Sequence, residues 1–499
     1  MAKSIMIQGT MSNVGKSLLV TGLCRIFKQD GYRVAPFKSQ NMALNSYITQ
    51  DNLEMGRAQA VQAEACGIEP QVCMNPILLK PTGDMGSQVI VNGEVIGNMC
   101  AMDYYKQKRS YLPVIQAAYH QLEEAYDIIV IEGAGSPAEL NLKQEDIVNM
   151  GMAELVDAPV LLVGDIDRGG VFAQLIGTVL LLEPTEQARI KGLIVNKFRG
   201  DKQILAPGLS ILTHRCGKEV LGVVPYMDVE IEEEDSLAEE LKQTTSDSRL
   251  QTKIDIAVIR LPHISNFTDF QAFVMEPTVS LRYVERVSQL KEPDVVILPG
   301  TKNTMQDMHW LRTSGLETQI LRLVERGTLV IGICGGYQML GEQIKDPYEV
   351  EDGRSIRGMG LLPMITQFEA QKTRTRVKGH IADLPGVWHA LSSTQISGYE
   401  IHMGHSIGSD KTAQPLILLP GKTDGCCRNG VLGTYLHGMF EEEAFRIAFV
   451  QLLCARKGIP YGIQTTIPFY EYKEQQYDKI AAVLRDSLDM EAIYRILNR

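Results

Sequence analysis

Short apolar runs recur along the first half of the chain, at Ser4–Gln8, Arg33–Phe37, Asp127–Ile131, Pro159–Gly164, Gly192–Asn196 and Val220–Val224. Between several of them the apolar positions return at helical spacing, as in Lys16–Gln29 and Asp51–Cys66. Near-continuous apolar strands separated by helical crossovers predict a parallel sheet covered on both faces. An almost wholly acidic run at Glu230–Asp235 and an aperiodic polar stretch at Gln243–Thr252 break the pattern, placing a linker at residues 236–252. A second alternating segment opens with Ile254–Arg260, continues through Val295–Leu298 and Leu329–Ile333, and turns β-rich from Met359 to Tyr435. From Glu441 onward the pattern is helical, with a loop around Pro460–Pro468. The expectation is an α/β protein of two domains, each a mostly parallel sheet with helices on both faces. They span residues 1–235 and 253–445, with a helical extension over 446–499.

Composition narrows the partners. A chain of 499 residues is too long for one core. Its net charge of −11 argues against nucleic acid or an anionic membrane as partner. Any acidic substrate must then be met by local basic groups. Nine cysteines, none in a C-x-x-C or other metal-type spacing, fit reduced thiols and a cytoplasmic setting. The first residues carry only a short apolar run, unlike a signal peptide, and no run approaches the roughly 18 apolar residues of a membrane span.

Gly9-Thr10-Met11-Ser12-Asn13-Val14-Gly15-Lys16-Ser17 falls between the first strand and the first helix, the position of a P-loop. Backbone N–H groups of Thr10, Asn13, Val14 and Gly15 would cradle phosphates, Lys16 would reach the β/γ oxygens, and Ser17 would ligate Mg²⁺. The spacing departs from the standard motif: Thr10 stands where the first glycine is expected, and Gly9 lies one residue earlier. Later strand ends point the same way. Glu132, in Ile131-Glu132-Gly133-Ala134-Gly135, is a candidate second Mg²⁺ ligand, because open α/β sheets bind ligands at their carboxyl edge and hard cations take carboxylate oxygens. Gly164-Asp165-Ile166-Asp167-Arg168-Gly169-Gly170 ends another strand in a polar, flexible tip. Asn196-Lys197 ends a third, a position suited to reading a nucleotide base. Lys38 and Lys80 could meet carboxylates or a transferring phosphoryl group.

A different chemistry is signalled at Gly332-Ile333-Cys334-Gly335-Gly336-Tyr337-Gln338, where an apolar strand ends in a thiol between glycines. A residue at such a strand-to-helix corner is forced into a strained backbone that small neighbours tolerate. The following helix start favours thiolate over thiol. Gly300, at the end of Val295–Leu298, and Gly335 are candidates for the two amides of an oxyanion hole. The thiol needs a base, and His437 and His402 both occur in the β-rich stretch that follows.

The cysteine elbow and later histidine resemble class I glutamine amidotransferases, which release ammonia from glutamine through a thioester. The Gly-Thr-x-x-x-Val-Gly-Lys-Ser loop with Glu132–Gly135 resembles dethiobiotin synthetase, which activates carboxylates with ATP. Joined in this order, they resemble the cobyric acid synthase family of cobalamin biosynthesis over about residues 4–445. The most specific stretches are Pro36–Ser46, Gly164–Gly170, Leu261–Asp269 and Gly398–Gly404. The resemblance implies amidation of the b, d, e and g carboxylates of adenosylcobyrinic acid a,c-diamide, with glutamine as nitrogen donor and ATP with Mg²⁺ as activator. The corrinoid is then a substrate, and no tightly bound prosthetic group is expected. It favours His437 over His402 as base to Cys334, and makes Lys38, Gln40, Asn41, Asn45, Lys80, Asp165 and Arg168 candidates for substrate contact. One departure matters. Many class I glutaminases carry an acid two residues after the histidine, but Met439 stands there. A Cys–His dyad is expected, oriented by Glu400 or a main-chain carbonyl. The alternatives are a cobyrinic acid a,c-diamide synthase and a P-loop regulatory ATPase with a vestigial glutaminase domain.

Overall fold

A computed structural model describes residues 2–82, 86–232, 253–410, 413–462 and 467–498. The chain divides into two compact units. Met1–Ala43, Leu53–Glu232 and Tyr470–Arg499 form the first; Leu44–Asn52 and Glu233–Phe469 form the second. The expected linker over 236–252 lies outside the described residues.

The first unit is built on six strands: β1 (Lys3–Gly9), β2 (Val34–Phe37), β3 (Ile128–Glu132), β4 (Val160–Asp165), β5 (Ile190–Phe198) and β6 (Val220–Pro225). Their order is β6-β5-β4-β1-β3-β2, and every neighbouring pair is parallel. Each is legible as an apolar run because both faces of such a sheet are buried. Parallel strands end on one edge, so Gly9, Glu132, Asp165 and Asn196 are collected there. Helix α1 (Lys16–Gln29) follows β1, and α2 (Arg57–Cys66) starts later than the sequence pattern suggests. Glu54–Gly56 is a short buried strand, and extended Gly56 caps the helix.

The second unit holds β7 (Ile254–Ile259), β8 (Val279–Val284), β9 (Val295–Leu298), β10 (Leu329–Ile333), β11 (Met364–Ile381), β12 (Gln395–Gly408), β13 (Cys426–Arg428), β14 (Val431–Thr434) and β15 (Leu436–His437). The central sheet runs β8-β7-β9-β10-β14-β13, parallel except for the β13–β14 hairpin. The long antiparallel β11–β12 pair carries β15 along β12, with Tyr399 opposite His437. Helices α3 (Thr304–Thr313) and α4 (Gly335–Leu340) follow β9 and β10. Ile48 of the segment 44–52 packs on Tyr399 and Ile401, and Asn266 Oδ1 accepts the Ser46 N–H at 3.0 Å.

The region expected as one extension divides. Helix α5 (Glu443–Lys457) buries Phe445, Phe449, Val450 and Leu453 in the second unit's core. Helices α6 (Phe469–Ser487) and α7 (Met490–Leu497) bring Ile480, Leu484 and Ile493 into the first unit's core with Leu19, Leu23 and Phe27 of α1. Arg25 of α1 pairs with Asp478 at 2.7 Å and Glu474 at 2.8 Å. These helices cover a face of α1 that the sheet leaves open, which explains a helix buried almost all round.

Candidate active sites

The loop after β1 is shaped by two left-handed residues, Asn13 (φ 60°) and Gly15 (φ 93°). The Thr10 N–H donates to Val163 O at 2.9 Å, tying the loop to β4. At Gly15 a side chain is excluded twice over, by the positive φ and by Asn196 Nδ2, which a Cβ would approach to 2.3 Å. Asn196 donates to the Val14 carbonyl at 2.8 Å and Lys197 Nζ to that of Asn13 at 2.7 Å. Lys197 also pairs with Asp165 at 3.2 Å. Asn196 and Lys197 therefore brace the loop from behind.

Lys16, only 7% exposed, donates to Met11 O at 3.1 Å and Gly135 O at 3.3 Å. Ser17 Oγ donates to Glu132 Oε1 at 2.9 Å, and Lys38 Nζ reaches the same oxygen at 2.9 Å. Gln62 Nε2 donates to the other oxygen at 2.5 Å. Burial pushes the Glu132 carboxyl upward, but Lys38 and these donors outweigh it and hold it below the ordinary value. Among the described residues no group of three or more His, Cys, Asp or Glu could hold a metal ion. A hydroxyl and one ionised carboxylate at a P-loop nevertheless fit Mg²⁺, which binds through one or two protein oxygens and completes its shell with phosphate and water.

In the second unit, Cys334 is the cap between β10 and α4, with φ 51° and ψ −109°. A non-glycine residue there stores about 1–3 kcal/mol of strain. Packing dictates the glycines after it: a Cβ on Gly336 would lie 2.0 Å from Leu298 O. A Cβ on Gly335 would meet Thr301 Cγ2 at 2.5 Å, and one on Gly300 would meet His437 Cε1 at 2.9 Å. The thiol corner, the Gly300 turn and the histidine are thus in van der Waals succession. Cys334 Sγ lies 3.6 Å from Ile401 O.

His437 is almost completely buried, and its Nδ1 lies 2.7 Å from Asp269 Oδ2. The other carboxylate oxygen accepts the Gly438 N–H at 3.0 Å. Tyr399 stacks on the imidazole, with ring centroids 5.3 Å apart. Burial alone would lower the imidazole's pKa, but Asp269 overrides it and, with Cys334 alongside, raises it to about 10. The buried Nε2 makes no hydrogen bond among the described residues. His402 is the opposite case. Burial pushes it down to about 3, its Nδ1 sits 2.8 Å from Gly404 O, and it stacks on Tyr435. It stays neutral, whereas His437 is equipped to hold a proton. Glu400 does not orient His437: it is committed to Lys422 at 2.5 Å. Asp269 holds that position, carried by the 3₁₀ helix Phe267–Met275.

Two family models match the chain. The CobQ/CobB/MinD/ParA nucleotide binding domain covers residues 5–237, and the CobB/CobQ-like glutamine amidotransferase domain covers residues 255–445. Cobyric acid synthases of Lachnoclostridium phytofermentans, Ruminiclostridium cellulolyticum and Caldanaerobacter subterraneus are 57%, 54% and 50% identical to it. Each alignment covers 100% of this chain and 99%, 97% and 99% of the respective relative. The chain belongs to the cobyric acid synthase family.

Within this family member, most of the residues expected to contact substrate already hold hydrogen bonds or ion pairs inside the protein. Gln40 accepts from the Tyr104 hydroxyl at 2.7 Å, and Asn41 Nδ2 donates to Gln59 at 2.9 Å. Lys80 forms a buried ion pair with Glu54 at 2.9 Å. Lys38 serves Glu132, and Asp165 serves Lys197 and the Asp167 N–H. These side chains are occupied inside the first unit. Arg168 is exposed, and buried Asn45 belongs to the second unit. Asp269 and Gln62 escape the sequence reading. The first was within reach, since it closes the distinctive Leu261–Asp269 stretch; the second lies mid-helix without any motif.

No helix among the described residues is long and apolar enough to cross a membrane.

Proposed function

We propose that this enzyme amidates the b, d, e and g carboxylates of adenosylcobyrinic acid a,c-diamide, using ATP and glutamine. The observation that carries the reading is the Cys334–His437–Asp269 arrangement in a chain of this family that also bears a Gly-Lys-Ser phosphate-binding loop ahead of α1. In the second unit His437 takes the Cys334 proton at Nε2 while Asp269 holds Nδ1. The thiolate attacks the glutamine amide carbon, and the oxyanion falls to the amides of Gly300 and Gly335. Protonated His437 returns the proton to the departing ammonia, leaving a glutamyl thioester that water hydrolyses. In the first unit Lys16 and the loop amides hold the triphosphate, and a corrin carboxylate attacks its γ-phosphorus to give an acyl phosphate and ADP. Ammonia then displaces phosphate. Ser17 and Glu132 would hold Mg²⁺, which when bound neutralises charge on the phosphate oxygens.

The test is incubation with the a,c-diamide, glutamine, ATP and Mg²⁺, followed by product mass. The expected product has gained four amides, with glutamate released in step. Cys334→Ser should lose glutamine use and keep turnover with high ammonium. An unchanged corrinoid mass alongside normal glutamate release would reject this substrate.

A further inference from the structure

The loop after Ile344 is organised around a single carboxylate. Asp346 accepts four consecutive backbone N–H groups, from Val350 on one oxygen and from Glu351, Asp352 and Gly353 on the other, at 2.8–2.9 Å. Val350 packs beside Met305, Ile344 and Phe368, so the loop is seated on the start of α3. Its Glu351 side chain reaches the end of that helix: Oε1 accepts the Thr304 N–H at 2.9 Å and Oε2 the Met305 N–H at 2.8 Å. The next amide, Gln306, is satisfied by Asn303 Oδ1 at 3.1 Å. An ordinary helix start leaves such donors to water or to its own cap. Here a carboxylate more than forty residues downstream in the sequence is used, and it bridges two donors at once.

What lies on either side of those amides gives the contact its meaning. Immediately before them is the turn Pro299–Asn303, whose Gly300 abuts His437 and whose Thr301 abuts Gly335. Thr301 Oγ1 is itself anchored on α3, donating to Asp307 at 2.5 Å. Thr304 Oγ1 donates to Gln338 Oε1 at 2.9 Å, and the Gln338 N–H donates to the Cys334 carbonyl at 3.0 Å. A displacement of the α3 start is therefore passed to both sides of the thiol corner.

We propose that Glu351 is a positioning residue for the reaction at Cys334. By bridging the first two amides of α3 it fixes the Pro299–Asn303 turn, and with it the oxyanion donors and the Thr304–Gln338 strut beneath the nucleophile. The inference rests on Cys334 being that nucleophile. Its chemistry needs two acceptor oxygens. A glutamine in place of Glu351 would have the same shape but only one acceptor, and its amide N–H₂ would face a backbone N–H.

The discriminating variant is Glu351→Gln in the full-length enzyme. Misplacement of catalytic groups by about 1 Å costs on the order of 10²-fold, so kcat for glutamate release should fall roughly 10- to 100-fold. KM for glutamine should stay within about threefold, because the ground state makes no use of the oxyanion donors. Ammonium-driven amidation should be unchanged, and Glu351→Asp, which keeps both oxygens, should recover part of the loss. Asp346→Asn, which loosens the loop with Glu351 intact, should reproduce the kcat defect if Glu351→Gln fails to fold. Wild-type kcat in a folded Glu351→Gln or Asp346→Asn enzyme would overturn the proposal. So would a loss appearing equally in ammonium-driven turnover. Glutamine use surviving in Cys334→Ser, run in parallel, would instead remove the nucleophile on which the inference stands.

Discussion

Asp269→Asn is the perturbation that most sharply tests the glutaminase centre, because both oxygens of this carboxylate have assigned partners. One accepts the Gly438 N–H at 3.0 Å and the other faces His437 Nδ1 at 2.7 Å. An asparagine must turn its carbonyl oxygen to the backbone N–H, since the alternative sets donor against donor. Its N–H₂ then points at Nδ1, which must become an acceptor, so the imidazole proton moves to Nε2. That tautomer cannot take a proton from Cys334. The electrostatic loss acts in the same direction. Raising the imidazole from 6.5 to about 10 favours its charged form by on the order of 5 kcal/mol. Without the Asp269 charge, burial is opposed by Cys334 but no longer by a carboxylate, and the imidazole's pKa falls. A comparable carboxylate-to-amide change in a Ser–His–Asp site lowers kcat about 10⁴-fold, and glutamine-dependent turnover should fall about 10³- to 10⁴-fold here. Two assays are needed. Glutamate release measures the chemistry, while the pH dependence of alkylation of Cys334 by iodoacetamide measures the thiolate. At neutral pH the variant should be alkylated more slowly than the wild type, because an imidazole protonated at Nε2 cannot take the thiol proton. Ammonium-driven amidation should be unaffected. Retention of more than a tenth of glutaminase turnover, or an unchanged alkylation profile, would refute the reasoning.

Three further outcomes are expected. His437 is charged more readily in the fold than in the unfolded chain, so its stabilisation is complete below about pH 6.5 and lost as pH rises through about 10. Thermal melts should show the second unit losing stability between pH 7 and 10, and Asp269→Asn should flatten that decline. Truncation after residue 468 removes Tyr477, Ile480, Leu484, Ile493 and Ile496, all buried. At about 1.5–3 kcal/mol each, their loss rivals the whole stability of a domain, about 5–15 kcal/mol. The shortened chain should lack a cooperative melt of the first unit, measured by circular dichroism. Asn196→Ala removes the support under Val14 and should weaken ATP binding about fivefold by calorimetry, in line with one buried hydrogen bond of about 1 kcal/mol, while glutamate release stays unchanged.

The two sheets are legible because their strands are buried on both faces. β1, β3 and β10 read as unbroken apolar runs, and their ends fall within a residue or two of where hydrophobicity stops. β8 is not, because Val279–Val284 carries Ser280 and Arg282. Arg282 is buried all the same, neutralised by Asp255 at 2.7 Å from the neighbouring strand, and no local pattern announces such a pairing. The tail shows a related gap. α6 and α7 have clear amphipathic faces, but periodicity says only that a helix has a partner, not that the partner is α1, some 450 residues earlier.

The active centres divide along the same line. The P-loop and the cysteine elbow announce themselves because their chemistry is local: consecutive backbone amides around phosphate, or a strained corner between glycines. Whatever orients those groups is non-local. Asp269 is 168 residues before His437, Asn196 is 182 residues after Val14, and Glu351 meets Thr304 from 47 residues away. The absence of an acid two residues after His437 suggests a dyad. Yet burial depresses an imidazole's pKa, as it does at His402, so a buried base that must carry charge beside a thiolate calls for a carboxylate. The need for a carboxylate follows from physics even when its position does not. Desolvation demands a compensating charge, and the 3₁₀ helix after Asn266 is where this fold supplies it.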